Sequence, residues 1–144
     1  MQEFPHRYNV RASAAAEGDV KVESEKLPTI DTAPPAEFGG PGDRWSPESL
    51  LAAAVADCFI LSFRAIARGS NLSWNSLTCE VEGVLDRVEN VTQFTEFHVS
   101  ASLEIPEANE ERANRILQKA EKSCLITNSL KADTHLKTNI EIAS

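Results

Sequence analysis

Three thiols, Cys58, Cys79 and Cys124, have the widest chemical reach of any side chains in this 144-residue sequence. A thiolate can act as nucleophile, metal ligand or two-electron reductant. Asp57 precedes Cys58 and is the one charge in the nearly all apolar run Leu50 to Phe63, and Lys119, Glu121, Lys122 and Ser123 crowd the approach to Cys124. Charge beside a thiol on an apolar helix face is the kind of local inconsistency that marks sites. Free cysteine is also among the most buried residue types, so the residues alone leave both thiols open to a core or a chemical role. Cys79 shares one face of an alternating segment with Leu77 and Val81 and reads as a small core hydrophobe. His6, His98 and His135 show no metal-ligand spacing with one another or with the cysteines, and the last two fall on polar strand faces. With no CxxC, GxSxG, P-loop or GxGxxG pattern, metal hydrolases, serine hydrolases and nucleotide enzymes are disfavoured.

The element that must hold Cys58 is the stretch Ser46 to Gly69. Ser46 suits the N-cap, Pro47 the first helical position and Glu48 the positive end of the helix dipole. Arg64, Arg68 and Gly69 supply the matching end signals. Roughly 22 residues at 1.5 Å each reach about 33 Å, the width of a small domain. Apolar on nearly every side, the helix is expected to be buried on every side. Asp57 and the shortness of the apolar run argue against a membrane span.

Around that helix the chain reads as strands. Tyr8 to Ala14, Val20 to Glu23 and Lys26 to Thr32 precede a loop crowded with Pro34, Pro35, Gly39, Gly40, Pro41 and Gly42. After Gly69 the period becomes two. Leu77, Cys79, Val81 and Leu85 share a face, a turn falls at Glu89-Asn90, and Phe97, Val99, Ala101, Leu103 and Ile105 alternate with polar residues. Such alternation indicates an antiparallel sheet with one wet face. Pro106 then opens a second helix bearing Ala113, Ile116, Leu117, Ala120 and Cys124, with a short helix over Leu125 to Lys131 and a last strand through Leu136 to Ile142. The result is one α+β domain over residues 1–144, with antiparallel sheets wrapped around a long buried helix.

Composition narrows the setting. With 22 acidic against 14 basic residues and a net charge of −8, the chain has no basic face for nucleic acid. MQEFPHRYNV carries no apolar signal region, and three widely spaced cysteines do not describe a secreted disulfide framework. A cytoplasmic location and no membrane partner follow as expectations.

The run Ser46-Pro47-Glu48, Leu50 to Ala54 and Ala56-Asp57-Cys58-Phe59 resembles the first cysteine helix of the OsmC/Ohr family of osmotically inducible and organic hydroperoxide resistance proteins. In that family the reactive cysteine follows the helix-start glutamate by ten residues, the spacing of Glu48 and Cys58. Gln118 to Cys124, followed by Asn128-Ser129-Leu130, is similar to the second cysteine helix. The resemblance runs from Tyr8 to Ile142. It implies an intertwined homodimer that reduces organic hydroperoxides with no bound cofactor, drawing on an external dithiol reductant of the lipoyl type. It implies also that Cys58 attacks the peroxide and that Cys124 closes a disulfide on the resulting sulfenic acid. The family's arginine positions correspond to the neighbourhoods of Gly18 and of Glu37-Phe38, and its proline after the second cysteine is Leu125 here. Arg44, supported by Glu48 and brought by a partner subunit, is the expected activating cation, with Arg7 and Arg11 as substitutes. Two other functions fit the same fold: a non-catalytic module binding a hydrophobic ligand, and a thiol redox sensor.

Overall fold

The computed structural model describes residues 2–144, and the chain forms two compact units, one running to Leu50 and the other Leu51–Ser144. In the first, β1 (Arg11–Ser13), β2 (Val20–Glu23) and β3 (Ile30–Thr32) make an antiparallel sheet in that order. The third strand is shorter than the sequence suggests, because Lys26 takes a left-handed conformation (φ 66°) that breaks extension. The Pro/Gly loop winds through a single turn at Ala36–Phe38. Gly40 is required there, since a Cβ would overlap the Pro34 carbonyl. The Ala33 N–H then donates to the Trp45 carbonyl (3.0 Å), fixing the chain's approach to helix α1 (Pro47–Gly69). Ser46 caps that helix as expected. Its Oγ accepts from the Ser49 N–H (3.1 Å), while its own N–H donates to Ser49 Oγ (2.8 Å). This reciprocal pair is a capping box with serine in the place of the usual glutamate.

The second unit contains β4 (Ser76–Val88), β5 (Val91–Ile105), α2 (Glu110–Ser123), α3 (Leu125–Asn128) and β6 (Asp133–Ile142). β4 and β5 pair antiparallel around the Glu89-Asn90 turn, where both residues have positive φ (50° and 66°), the backbone a two-residue hairpin of native twist demands. Two expectations are corrected here. β6 runs parallel to β5, from Glu96↔Asp133 to Ile105↔Ile142, so the sheet β4-β5-β6 is mixed. The α2–α3 segment provides the long crossover that a parallel pair requires. Pro106 lies in a bend, and α2 begins only after Asn109.

One face of this sheet packs on the helices. Val55, Phe59, Phe63 and Ala67, four residues apart on α1, join Phe97, Val99, Ala101, Leu103 and Ile105 of β5 and Ala113, Leu117 and Ala120 of α2 in a single core. Phe63 meets Trp74 edge to face at 5.2 Å. The expectation of a helix buried all round does not hold within one chain: a single stripe is covered, and Leu61 is 50 % exposed. One sheet face and one amphipathic helix cover one side of a cylinder, leaving its apolar flank uncovered. By length and hydropathy α1 could also cross a bilayer, yet its buried stripe is built into the core of this unit.

Candidate active site

Cys58 stands one residue before the buried Phe59, on the shoulder of the α1 core stripe, and its Sγ lies 4.0 Å from Ser62 Oγ one turn on. Cys124 is placed differently, at the junction of two helices. It ends α2 in an extended conformation (φ −65°, ψ 107°) and caps α3. Its carbonyl accepts from the Thr127 hydroxyl (3.2 Å) and the Asn128 N–H (3.0 Å), which pins the junction. The side chain is almost wholly buried.

These two thiols, far apart in sequence, come together. Burial pushes the Cys124 thiol up, the Thr127 hydroxyl and N–H pull it down, and the neighbouring Cys58 thiol pushes it up again. All three cysteines are free. Beside Cys58 opens a cavity of about 460 Å³ whose walls are mostly apolar: Ala54, Leu61, Ala65, Leu125 and Ile126, with Asp57 and Ser62 as its polar groups. Leu125, which directly follows Cys124, is a wall of this cavity. Cys79 faces the core from β4 as the alternation indicated, and its thiol is pushed up to about 11, by burial first and then by Cys124 and Glu80.

Glu48 and Arg44 belong to the unit that ends at Leu50, and they do not pair with each other as expected. Arg44 Nε donates to Asp19 Oδ2 (3.1 Å), and its Nη1 lies 3.4 Å from Asp43 Oδ2. Asp19, first by hydrogen bond and then by charge, holds the guanidinium firmly protonated. Two nearby carboxylates thus take the cation that Glu48 was expected to hold. Glu48 Oε1 is buried without a hydrogen-bond partner among the described residues, and its side chain helps line a second apolar cavity of about 490 Å³ with Val20, Val22, Pro35, Phe38 and Leu50. Sequence reasoning missed Thr127 and Asp19. Thr127 had a local signal, three residues past a helix-capping cysteine. Asp19 had none, because its partner is 25 residues away.

This arrangement of helices and sheets is the OsmC-like fold. A solved OsmC-like protein of unknown function from Vibrio cholerae aligns over 93 % of this chain and 99 % of its own, with a TM-score of 0.84 at 15 % identity. An organic hydroperoxide resistance protein from Elizabethkingia anophelis aligns over 97 % and 100 %, with a TM-score of 0.76 at 20 % identity. The uncharacterized protein YmaD of Bacillus subtilis is 26 % identical over 112 residues, 75 % of each chain. Residues 40–139 match the sequence profile of the OsmC-like protein family, and the chain belongs to that family.

Proposed function

We propose that this protein is a thiol-dependent peroxidase that reduces organic hydroperoxides in a reducing compartment such as the cytoplasm. The observation that carries the reading is the meeting of Cys58 and Cys124 beside a cavity with apolar walls. Such walls suit the organic part of a hydroperoxide, and the partly buried Cys58, which lines the cavity, is the thiol that substrate can reach. Its thiolate attacks one peroxide oxygen. A sulfur–oxygen bond forms, the oxygen–oxygen bond breaks, and the organic fragment leaves as an alcohol after taking a proton. Cys58 is then a sulfenic acid. The buried Cys124 loses its proton and attacks that sulfur, forming a disulfide and releasing water. An external dithiol restores both thiols by two exchanges and leaves as its own disulfide.

The chain is proposed to work as a homodimer. The uncovered flank of α1 needs apolar cover, and Glu48 Oε1 needs a donor. A second copy can supply both, and through its own Arg44 the cation that activates Cys58. The test is consumption of cumene hydroperoxide with dihydrolipoate, beside sedimentation at micromolar concentration. Catalytic turnover by a dimer is expected, with turnover abolished in Cys58→Ser and a halt after one equivalent in Cys124→Ser. Oxidation of the wild type that stops at one equivalent would mark a sensor, and unchanged thiols a binding module; either sinks the peroxidase reading. A monomer sinks the dimer.

A further inference from the structure

The face of the β4-β5-β6 sheet turned away from the core carries a cluster that the thiol chemistry does not use. His98 of β5 and His135 of β6 stand directly opposite each other in the parallel register, and their rings stack with centroids 5.0 Å apart and planes 20° from parallel. Both aim Nε2 at one carboxylate: His135 Nε2 lies 3.1 Å from Glu96 Oε1 and His98 Nε2 3.7 Å from Glu96 Oε2. Glu82 sits opposite His98 on the other neighbouring strand, completing a row of potential ligands across three strands. All three central side chains are about half exposed, so an ion can reach them from solvent.

We propose that His98, His135 and Glu96 form a surface site for a divalent transition metal of the zinc type. Two neutral imidazoles and a carboxylate are the donor set such ions prefer over magnesium or calcium. In a tetrahedral zinc site, bonds of about 2.0–2.1 Å place neighbouring donor atoms about 3.3 Å apart. His135 Nε2 stands near that spacing from Glu96 Oε1 (3.1 Å), while His98 Nε2, 3.7 Å from the other carboxylate oxygen, has to move closer. As the side chains stand, no group of three such donors among the described residues could hold an ion, so the site forms only if the rings tilt toward each other as it binds. The strands beneath hold their backbones in fixed register, which limits the motion to side-chain torsions. Water or Glu82 fills the fourth position.

The test follows the three histidine rings of the intact protein by nuclear magnetic resonance during titration with zinc chloride. One equivalent at micromolar concentration should shift the His98 and His135 signals together and leave His6 in place. His98→Asn should weaken the movement of His135 by at least about tenfold in zinc concentration, the loss that removing even a ligand's outer partner brings. Glu96→Gln should weaken both rings' response. Zinc taken up by thiols alone leaves the rings unmoved and overturns the site. So does ring movement that needs millimolar zinc, or a His135 response unchanged in His98→Asn.

Discussion

The two units of this chain are built on opposite terms. Leu51–Ser144 has strands of 13, 15 and 10 residues and a closed core. The unit ending at Leu50 has strands of 3, 4 and 3 residues, and among its described residues only Thr32, Ala33 and Ser46 are buried. In its sheet Val20 and Val22 line a cavity instead of filling a core. A sheet of such short strands is marginal by itself, whatever its pairing. Burial decides which unit carries stability, and the thinly covered unit is the one that holds Glu48 and Arg44.

The largest expected effect tests that contrast directly. Phe63→Ala opens a void in the core under α1 and should cost about 3–5 kcal/mol, as large-to-small aromatic replacements do. Val22→Ala, in the first sheet, should cost about 1 kcal/mol. Urea unfolding followed by far-ultraviolet circular dichroism compares them. Equal losses would mean that the first sheet is as tightly packed as the second.

Much of the second unit was legible because its signals are local. The alternation from Phe97 to Ile105 put the buried face where it is found, and Ser46-Pro47 marked the start of α1. Direction was not legible: the alternation of β6 fixes which residues face inward but not whether Asp133 pairs with Glu96 or with Glu104. Nor was the uncovered flank of α1, since composition shows that Leu61 is apolar and not what covers it. In the candidate site the surroundings of Cys58 and Cys124 left a core or a chemical role open for both, and only the fold brings the two thiols together, while Cys79 packs against the core as the alternation indicated. Arg44 was drawn to Glu48 by nearness in sequence, whereas a carboxylate from the β1–β2 connection holds it.

A middle-sized effect separates two thiols of the same unit. Burial raises both Cys79 and Cys124, but only Cys124 has Thr127 donors pulling the other way. With its thiol at about 11, Cys79 is thiolate in only about one molecule in a thousand at pH 8. Iodoacetamide at pH 8 should therefore leave Cys79 unmodified in folded protein, and mass spectrometry would read the labelled cysteines. The stability sign follows. Because the folded-state value lies above the ordinary 9.0, Cys79 favours the fold fully below about pH 9 and loses that contribution as pH rises to about 11. Cys79→Ala should flatten this alkaline decline. A decline of the same slope in the variant would assign it to other groups.

The smallest expected effect lies at Arg44, and the charges around it explain why. A cation activates a thiolate through its field, and here the guanidinium is hydrogen-bonded to Asp19 and flanked by Asp43. Two carboxylates against one cation leave a local charge of −1, so the group as a whole offers a distant thiol little positive field. If a second copy brings this cluster to Cys58, Arg44→Ala should slow iodoacetamide labelling of Cys58 at fixed pH only modestly, by less than about tenfold, the factor that 1.4 kcal/mol represents. Removing the masking charges is the sharper move: Asp19→Asn with Asp43→Asn should speed the same reaction, and adding Arg44→Ala to that pair should cancel the gain. Exposed charges of this kind should leave the unfolding midpoint nearly unchanged, which keeps a labelling effect from being mistaken for a folding one. A gain that survives the loss of Arg44 would place the activating cation elsewhere, with Arg11 the next to test. No change in any of the three variants would remove Arg44 from the site and leave the lone Glu48 carboxylate to be satisfied by another donor.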